Sequence, residues 1–409
     1  MNYAVAALNI DHDPAAYSAL YEALDEPAAD ALLDERERAV RSAVRAVVAH
    51  DVAPRAAAAD RDHLFVHDSY RALAEAGLAG LIFPQRLSGT GDTNVAYAAA
   101  VEEIATGCAA TSLVYMTQMH AAYPIMTAGS AELTERYVPR LVNGSLYGSL
   151  AITEPNAGSD VAGLRTVASP QPSGYLLNGS KTFITTGDRA DVIVCFATVD
   201  RRMGRHGITA FVLDAAWRGL STGKPFAKLG MHGSSTAELF FDDVTVPANH
   251  LLGEVGDGWR IVMDSVIKSR ISAAAQGVGI ARAAYARTLV AVNRLHADRL
   301  PDEVTSALAT LRGQILQSRL LLYAVARRVD SEGAPATGEI SIMKQTCTDL
   351  GFRVARDAMR ILGPYGDLAE LGVERYLRDA KVTQIYDGTN EVQRMLIGRD
   401  TAQRTGRLR

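Results

Sequence analysis

The amino-acid sequence predicts an α+β fold in which a block of antiparallel strands separates two helical regions. Apolar residues recur at helical spacing from about residue 33 to residue 145, and again from about residue 256 onwards. Between these regions the apolar pattern changes to a period of two, which is typical of strands. A chain of 409 residues is also too long for one small core, so we expect several domains.

These changes of pattern divide the chain into four segments. The first is an extension, and the sequence leaves open whether it packs on the body of the protein or on a partner chain. The last resembles a four-helix bundle. The predicted segments are an N-terminal extension (1–32), an N-terminal helical domain (33–145), a middle β-barrel domain (146–255) and a C-terminal helical domain (256–409).

Two local signals give specific expectations about chain direction. The first predicted helix starts near Leu33, and Pro54 is expected to close it, because proline lacks a backbone N–H and breaks helix interiors. In the middle domain, Asn178-Gly179 separates two apolar runs. This dipeptide suits a type I′ turn, so it predicts a β-hairpin with strands at 175–177 and 181–186.

The composition excludes several classes of protein. The net charge is −4 with acids and bases interspersed, so no nucleic-acid face is predicted. No apolar stretch is long enough to span a membrane. The three cysteines, Cys108, Cys195 and Cys347, lie far apart, which argues against a metal site and fits a reducing cytoplasm.

The most informative stretch is the turn around Asp387. Gly388 frees the backbone there, and Thr389 is suited to cap the helix that follows. Asp387 therefore lies just before a helix N-terminus, where the helix dipole favours a carboxylate. A carboxylate in this position is a candidate proton acceptor, although a purely capping role explains the local sequence equally well.

Two segments of the middle domain are candidates for ligand binding. Residues 153–160 (TEPNAGSD) form a Pro- and Gly-containing loop whose amides, with the hydroxyls of Thr153 and Ser159, suit a phosphate or the edge of a heterocycle. In the run 181–187 (KTFITTG), Phe183 is placed to shield a planar ring and Thr185 offers a hydroxyl from the same strand. Plain β propensity is the alternative explanation for this run.

At this point the chain resembles the acyl-CoA dehydrogenase family over nearly all of residues 33–400. The resemblance rests on several motifs that occur in the family's order. They are 151–155 (AITEP) with 157–160 (AGSD), 178–179 (NG) with 181–187, Met263 with Arg270, 378–381 (RDAK) and 385–389 (IYDGT).

The resemblance implies a helix–barrel–helix architecture that binds FAD without a Rossmann fold. It assigns Ser159, Tyr386, Gly388 and Arg270 to the substrate and places Gly363 in a loop that reaches the FAD of a neighbouring subunit. It therefore implies a homodimer or homotetramer. The residues that it assigns to the cofactor are Ile152, Thr153, Ser159, Phe183, Thr185, Gly363, Thr389 and Glu391.

The family reaction is α,β-dehydrogenation of an acyl thioester. By this resemblance Asp387 removes the α proton, the flavin takes the β hydride, and Arg270 supports the turn. The backbone amide of Asp387 and a ribityl hydroxyl of FAD hold the thioester carbonyl, as in an oxyanion hole. The implied substrate is an acyl-CoA or an acyl group on a carrier protein, and the implied electron acceptor is an electron-transfer flavoprotein.

The sequence departs from the family at the base itself. Most members have Glu where this chain has Asp387, and others place the base at the position of Ser269. Aspartate is shorter by one methylene, about 1.5 Å of reach. Three interpretations follow: a base for a closer, branched or cyclic acyl group; a flavin-dependent monooxygenase on the same fold; or a catalytically silent binding subunit.

A second departure concerns the FAD pyrophosphate. Many members carry Arg-x-x-Phe-Gly after the position of Tyr285, but this chain has 292–301 (VNRLHADRLP) instead. Arg294, Arg299 and Arg360 are candidate substitutes, because a guanidinium binds phosphate well. A solvated helix end is the alternative explanation.

Overall fold

The computed structural model describes residues 11–296, 299–333 and 337–406. The first part of the chain is helical, and the N-terminal extension contributes two short helices to it. The helices are α1 (Pro14–Ala23), α2 (Pro27–Asp30), α3 (Glu35–Val47), α4 (Ala53–Arg61), α5 (His67–Glu75), α6 (Asn94–Gly107), α7 (Ala109–Ala128) and α8 (Ala131–Val142).

The described part of the N-terminal extension packs on the body of its own chain. Tyr17 and Tyr21, one turn apart on α1, are buried. The Tyr17 hydroxyl lies 2.6 Å from the Thr106 hydroxyl of α6, and the carboxylate of Asp25 lies 2.9 Å from the guanidinium of Arg45 on α3. This settles, for residues 11–32, the question that the sequence left open.

The expectation that Pro54 closes the first helix is wrong. Helix α3 passes through a π-helical turn, Val48–Val52, and continues as α4, with Pro54 in its first turn. A proline is tolerated there because the N–H groups of a first turn need no helical acceptor. The π-helical turn supplies the extra residue that separates the two helices.

The middle of the chain forms one eight-stranded sheet. Its strand order is β6-β7-β3-β2-β4-β5-β8, with β1 paired to β4. Most pairs are antiparallel, but β1 and β2 each pair with β4 in parallel. The strands are β1 (Gly148–Ala151), β2 (Val167–Gln171), β3 (Gly174–Thr185), β4 (Val192–Thr198), β5 (Ile208–Asp214), β6 (Leu220–Thr222), β7 (Thr236–Pro247) and β8 (Leu251–Leu252).

The hairpin predicted at Asn178-Gly179 is also wrong. These residues lie inside the continuous strand β3, where the pairing with β7 shifts register between Leu177 and Gly179. The Asn178 side chain and Asp243 on β7 exchange hydrogen bonds of 2.8 and 2.9 Å. Gly179 has a φ of +145°, and a Cβ there would lie 2.6 Å from the Thr166 hydroxyl. The dipeptide therefore serves a β-bulge.

Helices return after residue 256. Small residues on the long helix α9 let two other helices approach closely. A Cβ on Gly277 would lie 2.6 Å from the Cys347 carbonyl oxygen, and one on Gly279 would lie 2.3 Å from that of Glu102. The C-terminal helices are α9 (Gly258–Leu295), α10 (Asp302–Glu332), α11 (Thr337–Leu362), α12 (Val373–Thr383) and α13 (Asn390–Arg404).

The predicted α+β architecture, with helical ends around a sheet rich in antiparallel pairs, is confirmed. Within the described residues, no helix is both long and apolar enough to cross a membrane.

Candidate active site

The turn at residues 384–389, called the Asp387 turn from here on, connects α12 with α13. The predicted capping by Thr389 is confirmed, since its hydroxyl accepts a hydrogen bond of 3.3 Å from the Val392 N–H. Both Asp387 and Gly388 have positive φ angles, of +56° and +87°. Positive φ is strained for a residue with a Cβ, so neighbouring groups must hold Asp387 in this conformation.

Three side chains hold the two carbonyl groups of the turn. The Arg270 Nε lies 3.4 Å from the carbonyl oxygen of Asp387. The Gln393 amide donates to the carbonyl oxygens of both Asp387 (3.3 Å) and Gly388 (2.9 Å). The Lys344 ammonium donates to the Gly388 carbonyl at 3.0 Å. These contacts fix the backbone of the turn through groups from α9, α11 and α13.

Lys344 is a fully buried cation beside this turn. Its ammonium also donates a hydrogen bond of 2.9 Å to the side-chain oxygen of Asn390, the first residue of α13. Burial lowers the pKa of Lys344 to about 8, although the charge of Asp387 opposes this shift. Lys344 is therefore mostly protonated at neutral pH and titrates just above it.

The contacts of Asp387 fix its backbone and do not reach its carboxylate. Its Oδ2 is buried, and neither carboxylate oxygen accepts a hydrogen bond from any residue in the described ranges. The Asp387 N–H likewise has no acceptor within those ranges. A buried carboxylate oxygen without a donor is unusual in a folded protein, and it leaves both the acid and the amide available to a ligand.

The neighbours of the turn on α9 are themselves engaged. The Tyr386 hydroxyl donates to the side-chain oxygen of Gln276, whose amide donates to the Ala109 carbonyl at 3.0 Å. Burial, with a further contribution from the charge of Asp387, raises the pKa of Tyr386. The hydroxyl of Ser269, at the alternative position of the family base, is buried and donates to the Val266 carbonyl at 3.1 Å.

The loop after β1 is anchored by a buried ion pair. The Lys181 ammonium lies 2.8 Å from the Glu154 carboxylate and 3.0 Å from the Ile152 carbonyl oxygen. Glu154 also accepts from the backbone N–H groups of Arg165 (2.6 Å) and Thr166 (3.0 Å). Burial alone would raise the pKa of Glu154, but Lys181 and these donors lower it. These contacts fix the start of the loop, and its tip is exposed.

The residues of this loop and of β3 present groups that fit a flavin. Phe183 is 65% exposed at a positive φ of +57°, and its ring lies 5.2 Å from that of Phe226. The hydroxyls of Thr153, Ser159 and Thr185 form no hydrogen bond within the described ranges. An exposed aromatic face next to unused hydroxyls matches the chemistry of a planar ring with polar edges.

Other predicted cofactor residues lie apart from these groups or are exposed. Gly363 begins an exposed turn after α11, where a Cβ would meet no atom within 4 Å. Glu391 is exposed on α13 and pairs weakly with Arg394 at 3.5 Å. The candidate phosphate ligands Arg299 and Arg360 are exposed and pair with Asp302 and Asp357. Part of segment 292–301, residues 297–298, lies outside the described residues.

Comparisons with known proteins agree on one family. Models of the acyl-CoA dehydrogenase N-terminal, middle and C-terminal domains match residues 34–145, 149–244 and 256–402. The chain belongs to the acyl-CoA dehydrogenase family. The resemblance noted in the sequence is confirmed.

Individual relatives cover nearly the whole acyl-CoA dehydrogenase chain. An acyl-CoA dehydrogenase of Bacillus subtilis is 38% identical, over 88% of this chain and 96% of its own. Cyclohex-1-ene-1-carbonyl-CoA dehydrogenase of Geobacter metallireducens is also 38% identical, over 90% and 98%. The structure of butyryl-CoA dehydrogenase from Megasphaera elsdenii superposes with a TM-score of 0.86 at 36% identity, over 90% and 98%.

Membership makes the chain an FAD-dependent oxidoreductase that acts on CH–CH groups. Sequence reasoning missed several residues around the Asp387 turn of this acyl-CoA dehydrogenase, namely Lys344, Gln276 and Gln393. One signal was available for Lys344, which lies four residues after Ile340 and three before Cys347, on the buried face of α11. A lone charge on an apolar helical face indicates a paired or functional group.

Proposed function

We propose that this enzyme dehydrogenates the α,β bond of an acyl-CoA and that Asp387 is the base that removes the α proton. The observation that carries this proposal is the state of the Asp387 turn. Donors from three helices fix both of its carbonyls, yet the carboxylate itself accepts no hydrogen bond from the described residues. A fixed backbone with an unengaged acid suits a proton acceptor.

The Asp387 amide supports a second part of the proposal. Removal of the α proton places negative charge on the thioester oxygen, and a positioned N–H stabilises that charge. The Asp387 N–H has no acceptor among the described residues, so it is available for this oxygen. One residue would then supply both the base and an oxyanion donor.

The shorter acid points to the shape of the substrate. Aspartate reaches about 1.5 Å less than glutamate, and a misplacement of this size costs on the order of 100-fold in rate unless the α carbon lies closer. A relative of this chain is named for a cyclic acyl-CoA, cyclohex-1-ene-1-carbonyl-CoA. We therefore propose a branched or cyclic acyl group, which would bring its α carbon nearer to the turn.

FAD would be held by the loop after β1 and by β3, with Phe183 against the ring and Thr153, Ser159 and Thr185 at its polar edges. Bound FAD supplies the two-electron acceptor that takes the β hydride. Arg270, Tyr386 and Gly388 would shape the thioester site beside Asp387, and Ser159 would contact the substrate from the loop.

Further assignments stay proposals on the same basis. The exposed loop at Gly363, with Thr389 and Glu391, would contact FAD within a homodimer or homotetramer, and the electron acceptor of the enzyme would be an electron-transfer flavoprotein. The carrier is CoA or an acyl carrier protein. The domain limits 1–32, 33–145, 146–255 and 256–409 and the cytoplasmic location also stay predictions.

The test is anaerobic stopped-flow reduction of the FAD-loaded enzyme by acyl-CoA thioesters, including cyclohexanecarbonyl-CoA. Asp387→Asn should slow bleaching of the flavin by about 1000-fold or more, because general base catalysis contributes up to about 10⁴-fold. FAD content and melting temperature should stay unchanged.

The matched control is Asp264→Asn, which removes an exposed carboxylate from α9 and should bleach at the wild-type rate. Normal bleaching in Asp387→Asn would assign proton removal to another group. A wild-type enzyme that reacts only with O₂ and an external reductase would instead be a monooxygenase.

A further inference from the structure

Polar side chains from two other helices converge on the same face of α9 as the Asp387 turn. Ser272 and Gln276 are four residues apart on α9 and therefore share one face. The Ser272 hydroxyl lies 3.1 Å from Nε2 of His120 on α7, and Gln276 accepts from Tyr386. His120 thus contacts α9 one helical turn from Tyr386, the residue before the proposed base.

The hydrogen bonds of Ser272 guide the assignment of the His120 tautomer. The Ser272 hydroxyl lies 2.9 Å from the Ser269 carbonyl, and when it donates there its oxygen accepts from His120. On this basis we assign the proton of His120 to Nε2. Burial lowers the pKa of His120, which keeps the ring neutral at pH 7, and Nδ1 remains an acceptor with no partner in the described ranges.

Tyr97 on α6 brings a hydroxyl to the same place. Burial raises the pKa of Tyr97, and the nearby Ser272 hydroxyl opposes this rise. The two hydroxyls do not meet hydrogen-bond geometry, however, and no other described residue forms a hydrogen bond with the Tyr97 hydroxyl. Tyr97 is only 3% exposed, and its ring stacks on Tyr115 with centroids 6.0 Å apart. Tyr115 is itself fixed by a bond of 2.7 Å to the Leu78 carbonyl.

Tyr97, His120 and Ser272 form what we call the polar subsite. A buried hydroxyl without a partner is unfavourable, and the reaction proposed for Asp387 gives Tyr97 no role. The subsite offers one O–H donor, on Tyr97, and one bare acceptor, Nδ1 of His120. A neutral hydroxyl satisfies both groups, because it donates and accepts, whereas a carboxylate would be repelled by Asp387.

We propose that the polar subsite binds a hydroxyl substituent on the acyl group of the substrate, so that the enzyme acts on hydroxylated acyl thioesters. This inference rests on the proposed function, since the Asp387 turn must be the site of dehydrogenation for Tyr97 and His120 to face the acyl group. Tyr97 and His120 are then specificity-determining residues.

The test compares matched thioesters in which a hydroxyl replaces a methyl group. The pairs follow the proposed branched or cyclic acyl group: 4-hydroxy-2-methylbutanoyl-CoA with 2-methylpentanoyl-CoA, and trans-4-hydroxycyclohexanecarbonyl-CoA with trans-4-methylcyclohexanecarbonyl-CoA. Wild-type enzyme should reduce its FAD with a kcat/KM about tenfold or more higher for the hydroxyl member of at least one pair. In Tyr97→Phe this preference, measured as the ratio of the two kcat/KM values, should fall about tenfold.

Tyr115→Phe is the control, because it removes a neighbouring hydroxyl that already has a partner. It should keep the preference and lower the melting temperature, whereas Tyr97→Phe should leave the melting temperature unchanged or raise it. The inference is overturned if no pair favours the hydroxyl, or if Tyr97→Phe keeps the preference, while bleaching itself still supports dehydrogenation. If no thioester bleaches the flavin, the proposed function and this inference fail together.

Discussion

Two regions of this enzyme contain buried charged groups but differ in whether their carboxylates have hydrogen-bond donors. The ionic cluster (Asp25, Arg45, Glu102, Glu103 and Arg282) lies between the N-terminal extension, α3, α6 and α9. Its carboxylates are fully engaged: Glu103 accepts from Arg45 at 2.8 Å and from Arg282 at 2.9 Å, and Glu102 accepts from Arg282 at 2.6 Å. The charges of Arg282 and Arg45 hold the pKa of Glu103 well below its usual range despite its burial.

The Asp387 turn has the opposite arrangement. Its carbonyl groups are saturated by Arg270, Gln393 and Lys344, while the carboxylate of Asp387 is left without a donor among the described residues. Satisfied buried charges hold a fold together in one arrangement, and an unsatisfied one persists only where the surrounding structure fixes it. The paired charges of the ionic cluster are therefore expected to stabilise the protein, whereas the carboxylate of Asp387 is the group that we propose reacts with the substrate.

The ionic cluster should control stability without affecting chemistry. Glu103→Gln leaves Arg45 and Arg282 with too little opposing charge, so the free energy of unfolding should fall by about 3–5 kcal/mol in denaturant titrations. The rate of flavin reduction per bound FAD should stay within about twofold of wild type. The exposed Glu135→Gln should change neither quantity, and a similar loss of stability in this control would remove the contrast between buried and exposed acids.

Lys344 should act on chemistry with a defined pH dependence. Deprotonation removes the charge that strengthens the hydrogen bond from Lys344 to the Gly388 carbonyl, so activity that depends on this bond should be highest below pH 8 and fall above it. Lys344→Met should lower kcat about tenfold at pH 7 and abolish the fall in kcat near pH 8. The control Lys381→Met, at an exposed lysine on α12, should keep the wild-type pH profile.

The same residue should influence stability with the opposite sign. The pKa of Lys344 is about 8 in the folded protein against an ordinary 10.5, so the unfolded chain binds more protons between these values. The contribution of Lys344 to stability therefore rises with pH across this window, while activity falls. In Lys344→Met, both the fall in kcat and the rise in stability above pH 8 should disappear. This result would assign them to the titration of Lys344 and not to a general weakening of the fold. If the alkaline fall in kcat persisted, Lys344 would not be its source.

The sequence predicted the parts of this molecule that depend on local patterns. Strand β4, helix α8 and the cap at Thr389 follow from periodicity and from capping chemistry, and the structure agrees with them. The predictions at Pro54 and at Asn178-Gly179 failed because each residue type suits two structures. Contacts with Thr166 and Asp243 select the bulge at Gly179, and such contacts are invisible in the local sequence.

The residues of the candidate site also fall into those that local motifs reveal and those that depend on tertiary packing. Asp387 and Arg270 were found from their motifs, but Tyr97, Ser272 and Lys344 come from three different helices. The local sequence around His120 gives no sign of a polar role, which only its contact with Ser272 reveals. Their convergence depends on how α6, α7, α9 and α11 pack together, which periodicity does not specify.

Exchange of the α proton tests the central claim most directly, because it isolates the step assigned to Asp387 from hydride transfer. The probe is phenylacetyl-CoA deuterated at C2, which has α hydrogens but no β hydrogen to transfer. FAD-loaded wild-type enzyme should release its deuterium into water, and Asp387→Asn should release it at least about 100-fold more slowly at equal FAD content. Exchange at the wild-type rate in Asp387→Asn would contradict the assignment of Asp387 as the base.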